Sequence, residues 1–175
     1  LGSFHPLQTV ADPETAREHF QGAFAGVEGD ANALVAGERL AERLGMTPVR
    51  IPAGAKAAYH AGATIVANYT VALVGMAVRL ARSAGVPPEL AGRIYLPLLH
   101  GAAVNLDRLS PQEALTGAIR RGDAGTVAAH LAALEPGDRR LYGVVGLEAL
   151  GLSRQAGLAE GAAAELERLL TDAAT

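Results

Sequence analysis

Lys56, His60, Thr64 and Asn68 stand four residues apart in a stretch that carries no formal charge between Lys56 and Arg79. On a helix that spacing lays an amine, an imidazole, a hydroxyl and a carboxamide in one stripe, winding slowly around the axis from its N-terminal end. An amine and an imidazole can polarise or protonate a substrate oxygen, while a hydroxyl and a carboxamide can orient it. A ligand arriving there also meets the positive end of the helix dipole, which favours carboxylates. The plainer alternative is that His60 and Asn68 bond neighbouring backbone groups and Lys56 is solvated at a helix end.

Other polar residues are candidates of a second kind. His5 sits in Phe4-His5-Pro6-Leu7-Gln8, where proline holds the preceding residue extended. A lone histidine in such a place serves catalysis in some proteins and structure in many more. Tyr59 precedes His60 and could contact the same ligand, and Arg121 could clamp an anion or simply be solvated. His100 and Asn105 read as core polar groups or dimer contacts, and His19 and His130 as surface residues. No HExxH, no ExxH pair and no acidic cluster occurs, so no metal site is expected.

The element that must hold the stripe is Ala55 to Gly85. It has no proline, ends at Gly85 before Pro87 and Pro88, and predicts a single helix of about 45 Å at the usual rise per residue. Apolar residues surround its axis, so it should be covered on all sides. Its length would suit a membrane span. Ala, Gly, Val and Thr outnumber Leu and Phe, His60, Asn68 and Tyr69 interrupt it, and no aromatic belts flank it; a buried helix of a soluble, cytoplasmic protein is therefore expected. Small residues at Ala63, Ala67 and Gly75 would let a partner helix approach closely, and a second copy of the chain could supply it.

Composition bounds the rest. The 175 residues suffice for one ordinary domain, or one domain and a fragment of another. A formal charge of -3 and the lack of any basic cluster argue against nucleic acid. With no cysteine, disulfides and thiolate chemistry are excluded. No GxGxxG or Gly-rich phosphate loop is present, so the chain does not by itself cradle a dinucleotide in the usual way.

Along the chain, residues 23–28 and 48–51 read as strands and 31–44 as a helix stopped by Gly45, a fragment of an α/β layer that suggests a chain beginning inside a domain. From Ala53 onward only helical patterns occur. Pro97 should kink or break the segment 88–109, and Ser110-Pro111-Gln112-Glu113 reads as a capping box opening a helix to about Gly122. Asp123 should cap a helix through Leu134, Pro136 should open one to about Ala156 with Leu141, Val144, Val145, Glu148 and Leu152 at helical spacing, and residues 158–170 should close the chain. The expected domains are 1–52, an α/β tail, and 53–175, all helical.

The segments GSFHPLQT, KAAYHAGATIVANY, LLHGAAVNL and LTGAIRRGD, in that order, resemble the Rossmann-like oxidoreductases whose C-terminal part is Domain of Unknown Function 2520. That group is related to pyrroline-5-carboxylate reductase, 6-phosphogluconate and 3-hydroxyisobutyrate dehydrogenases and ketopantoate reductase. The resemblance implies a mainly α fold: a helical-bundle domain of the 6-phosphogluconate-dehydrogenase type around one long helix, preceded by the tail of a Rossmann domain. It implies NADP or NAD as cofactor, a homodimer, and His5-Pro6 beside the nicotinamide. Lys56 resembles the lysine that opens the interdomain helix in hydroxyisobutyrate-type dehydrogenases, where an asparagine follows one turn later; here His60 takes that place. The expected function is the C-terminal portion of an NAD(P)-dependent oxidoreductase for a small carbonyl or hydroxy acid, with Lys56, His60 and His5 catalytic and Asn68, Tyr59, Thr64 and Arg121 binding substrate. A non-catalytic helical dimerisation module is the alternative.

Overall fold

A computed structural model describes residues 1–10 and 19–175, which divide into two compact units, Leu1–Gly75 and Met76–Thr175. The chain is mostly helical, with a small three-stranded sheet near its start.

In the first unit, β1 (Gly2–Leu7) runs antiparallel to β2 (Phe24–Gly29), and β2 runs parallel to β3 (Thr47–Arg50), in the order β1-β2-β3. Helix α1 (Ala31–Arg43) makes the crossover between the parallel strands. It starts where Asp30 accepts a hydrogen bond from the Ala33 amide at 2.9 Å. Ala25, Ala41 and Met46 form the buried core between sheet and helix, with Phe4, Phe20 and Leu44 against it. The sequence reading found β2, α1 and β3 to within one or two residues but had no strand at Gly2–Leu7. Pro6 hid it. Proline cannot donate to a ladder and argues against a central strand, yet β1 lies at one end of the strand order, where a missing donor costs little.

The long helix α2 spans Lys56–Ser83 without a break, begins in the first unit and has its last turns in the second. Residues Ile65–Tyr69 form a π turn within it, which no feature of the sequence announced. The expected sheath is not there: only 6% of the most apolar 18-residue window of α2 is buried. Ile65, Val66, Tyr69 and Val71 are each more than half exposed. The helix is also long and apolar enough to cross a membrane.

The second unit continues with α3 (Pro88–Ala91), α4 (Leu96–Leu106), α5 (Pro111–Ala114), α6 (Gly117–Arg121), α7 (Ala124–Ala132), α8 (Pro136–Gln155) and α9 (Glu160–Ala174). Pro97 falls in the first turn of α4, where its lost N–H has no partner to forgo, so the chain breaks ahead of it at Gly92–Tyr95. The Glu113 carboxylate accepts from the Ser110 amide at 3.0 Å, the reach-back bond of the capping box, and also from the Ser110 hydroxyl at 2.6 Å. The helix that begins there is shorter than expected. Leu115 and Thr116 are extended, so residues 111–121 form two short helices instead of one.

The core of this unit is Val127 and Leu131 of α7, Leu150 of α8, and Leu166 and Leu170 of α9. Helix α8 meets α9 along Gly143, Gly146, Leu150 and Ser153, whereas Leu141, Val144 and Val145 point outward at 40 to 48% exposure. The glycines decide this orientation. A Cβ at Gly143 would lie 2.7 Å from the Leu170 carbonyl oxygen and 2.8 Å from the Ala174 amide nitrogen, so the two backbones touch. Hydrophobic periodicity counts side chains and is blind to a face that packs by lacking them.

Candidate functional site

The site is built on β1 and the first turns of α2, both in the first unit. His5 pairs across the ladder with Gly26 of β2, so the two share one face of the sheet. Tyr59 occupies the space that a side chain at position 26 would take: a Cβ there would stand 2.9 Å from the Tyr59 hydroxyl and 3.0 Å from its ring. The absent side chain of Gly26 therefore lets α2 settle close to the sheet. The consequence is a trio of rings. His5 meets Tyr59 edge to face at 5.7 Å between centroids and His60 at 5.1 Å, with an interplanar angle of 71° in the second pair.

A cavity of about 900 Å³ opens beside the trio. Its walls are the β1 end and the loop after it, from His5 to Val10, and the face of α2 carrying Tyr59, His60, Thr64 and Asn68. The π turn helps to keep Asn68 in that wall. Residues four apart on an α-helix drift by about 40° around the axis per step, and a wider turn subtracts from that drift. His60, Thr64 and Asn68 thus all reach one cavity.

Electrostatics separate His5 from an ordinary surface histidine. Burial holds the pKa of His5 below its usual 6.5, and the neighbouring His60 and the Lys56 ammonium push it the same way. Burial raises the pKa of Tyr59, with the adjacent Gly26 backbone pulling back. The Tyr59 hydroxyl is enclosed and has no hydrogen-bond partner among the described residues, so its ring is held by packing. His60 and Asn68 are exposed to the cavity and make no hydrogen bond among those residues. The described lining contains no carboxylate.

Of the residues named from the sequence, His5, Pro6, Tyr59, His60, Thr64 and Asn68 line this cavity together. Lys56 is exposed one turn before His60, outside the lining, and acts on the site through its charge on His5. Arg121 belongs to the second unit, in the last turn of α6, where it lowers the pKa of Asp123 as one of the lesser causes. His100 and Asn105 lie on α4, also in the second unit, and are exposed. His130 receives or gives a hydrogen bond at 2.9 Å with the Tyr142 hydroxyl and has no part in the cavity.

Three contributors escaped the sequence reading. Gly26 has no signature beyond being a glycine inside a strand, which itself hints at close approach. Gln8 and Thr9 line the cavity, and the Gln8 amide group is tied up locally: its nitrogen donates to the His19 carbonyl at 2.9 Å and its oxygen accepts from the Thr9 amide at 2.8 Å. That leaves His5, His60, Thr64 and Asn68 as the groups able to meet a ligand. They can donate to an anionic or carbonyl oxygen and move a proton.

Comparison with known proteins bears on this site. Residues 23–149 match the family model described as Domain of unknown function (DUF2520). Among solved structures, the crystal structure of protein TM1727 from Thermotoga maritima is similar at 28% identity and a TM-score of 0.62, covering 99% of this chain and 61% of that one. The "putative NADP oxidoreductase BF3122 from Bacteroides fragilis" shares the fold, with a TM-score of 0.69 at 24% identity over 85% of this chain and 56% of that one. The chain thus spans roughly three fifths of the length of either protein. No protein of curated function matches it.

Proposed function

Because the chain belongs to the DUF2520 family, whose match covers residues 23–149, we propose that it is the C-terminal portion of an NAD(P)-dependent oxidoreductase acting on a small carbonyl or hydroxy acid. The observation that carries this reading is the meeting of His5 and His60, 5.1 Å apart, at a cavity that Thr64 and Asn68 also line. The Bacteroides fragilis protein with the same fold bears the name of an NADP oxidoreductase, which supports the reading at the level of architecture. So does the resemblance of Lys56 to the lysine that opens the interdomain helix in hydroxyisobutyrate-type dehydrogenases, and of His5-Pro6 to the histidine-proline beside the nicotinamide in prephenate dehydrogenases.

The donor set suits one end of the cofactor only. Neutral and basic donors without a carboxylate fit a carbonyl substrate and the carboxamide of a nicotinamide, while the described residues offer no glycine-rich loop for a pyrophosphate. When bound, the nicotinamide supplies or takes the hydride at the substrate carbon. His60 gives the substrate oxygen its proton in reduction and recovers it from water. His5, held neutral in the empty site by burial and by its basic neighbours, hydrogen-bonds the substrate and fixes its orientation. Asn68 and Thr64 hold the rest of the substrate, and the Lys56 charge draws anions toward the cavity mouth. Residues 1–52 serve in this reading as the tail of the nucleotide domain, and 53–175 as the substrate and dimerisation domain.

A second copy of the chain is the proposed cover for the bare apolar faces. In the first unit these include Val66 at 74% and Val71 at 72% exposure, and in the second unit Leu98 at 70%. Single exposed apolar residues are ordinary, but rows of them on successive helical turns mark an association surface. One experiment addresses cofactor and dimer together. Sedimentation velocity of the chain, joined to a nucleotide-binding region of its family and followed at the absorbance of NADPH, should show the nucleotide moving with a dimer. NADPH remaining with the solvent would remove the oxidoreductase reading, and a monomeric boundary would remove the second copy.

A further inference from the structure

Two imidazoles and, among the described residues, no carboxylate line the cavity where the ligand would sit, and the Lys56 ammonium group acts on His5 from outside the lining. Such a cluster has a cost that a ligand can relieve. His5 and His60 stand edge to face at 5.1 Å, and both line the cavity, so charging both repels; Lys56 adds to that repulsion at His5. Among the described residues nothing nearby offsets it. On β2 the residue opposite His5 is Gly26, and Glu28 shares that sheet face but stands opposite Ser3, one repeat farther along, outside the lining. On α2 the groups facing His5 are Lys56, Tyr59 and His60, none of them acidic. The β1 end and its loop contribute Gln8 and Thr9, which carry no charge.

We propose that the cavity binds an anionic oxygen group, a carboxylate or a phosphoryl group, against its His5 and His60 wall, and that it takes up a proton as it does so. This rests on the reading of the cavity as the substrate site and adds the ligand's charge class and a built-in pH dependence. The empty cluster keeps His5 neutral near neutral pH. An anion in the cavity beside the rings offsets that repulsion, and His5 acquires the proton with which it donates a charge-assisted hydrogen bond. The sign follows from linkage: the anion raises the proton affinity of His5, so apparent affinity falls as pH rises, by at most about tenfold per unit between the free and bound pKa values of His5.

The test is calorimetry on this chain just above neutral pH, with malonate as the carboxylate probe and sulfate as the tetrahedral one, each in two buffers of different ionisation enthalpy. The buffer dependence should report uptake approaching one proton per anion, reduced by at least half in His5→Gln. Tighter binding of malonate assigns a carboxylate ligand, and tighter binding of sulfate a phosphoryl one. A wild-type histidine titration by nuclear magnetic resonance removes any dependence on the variant's folding: the His5 ring should titrate at higher pH once malonate is added. Binding of neither anion, binding without uptake, or an unmoved His5 titration would overturn the proposal. No nicotinamide is involved, so failure to bind NADPH leaves this result standing, and absence of proton uptake leaves hydride transfer standing.

Discussion

Replacing His60 with alanine is expected to slow hydride transfer by about 10²- to 10⁴-fold, the range that a positioned acid or base contributes. That corresponds to roughly 3 to 5 kcal/mol of transition-state stabilisation. The effect should be on chemistry and not on folding. His60 is exposed and hydrogen-bonds nothing among the described residues, so its removal opens no cavity in a core and orphans no buried group. Its one described ring neighbour besides solvent is His5. The measurement is single-turnover oxidation of NADPH by the chain joined to a nucleotide-binding region, with a small oxo acid that the wild type reduces, beside thermal melts of both proteins. Unchanged rates in a folded His60→Ala protein would leave the cavity without its acid and favour the dimerisation module.

The largest effect on stability is expected at the α8–α9 contact. Leu170 is fully buried, and its side chain fills the space that the missing side chain of Gly146 leaves open. Leu170→Ala should therefore cost about 3 to 5 kcal/mol, near the upper end for such truncations, because rigid helices on both sides limit collapse into the void. Set against total stabilities of about 5 to 15 kcal/mol for domains of ordinary size, that is a large fraction. Urea unfolding followed by circular dichroism measures it. A loss below about 1 kcal/mol would mean that the two helices do not pack at the distance described.

How much of this was legible beforehand depended on whether the sequence marks its structure by presence or by absence. Polar residues inside an apolar run stand out, and the Lys56 to Asn68 stripe led to the face of α2 that lines the cavity with His60, Thr64 and Asn68. Caps announce themselves chemically, so Asp123 and Ser110 located their helices; the Asp123 carboxylate accepts from the Thr126 amide at 2.9 Å. What was missed works by subtraction. Gly26 makes room for Tyr59, and Gly143 and Gly146 make room for α9, yet a pattern of side chains shows none of them. Strand β1 was concealed by a proline that an edge tolerates. The π turn at Ile65–Tyr69 has no marker in residue type, although it helps to bring Asn68 into line with His60.

The bareness of α2 carries a different lesson. Apolarity on every side led to the expectation of a covered helix, with a second copy of the chain as one source of the cover, and the fold of this chain does not supply it. Only 6% of its most apolar window is buried, and apolar residues of α4 are exposed as well. Periodicity marks apolar surface without saying which chain buries it, and in the proposed dimer a second copy would do so.

The most direct trial of the central claim is a crystal structure of the chain joined to a nucleotide-binding region and grown with NADP⁺ and malonate. The account predicts malonate in the cavity against the His5 and His60 rings, with the reactive nicotinamide carbon about 3 to 3.5 Å from it, the spacing of a near-attack geometry. A nicotinamide bound elsewhere, with that cavity closed to it, would contradict the account.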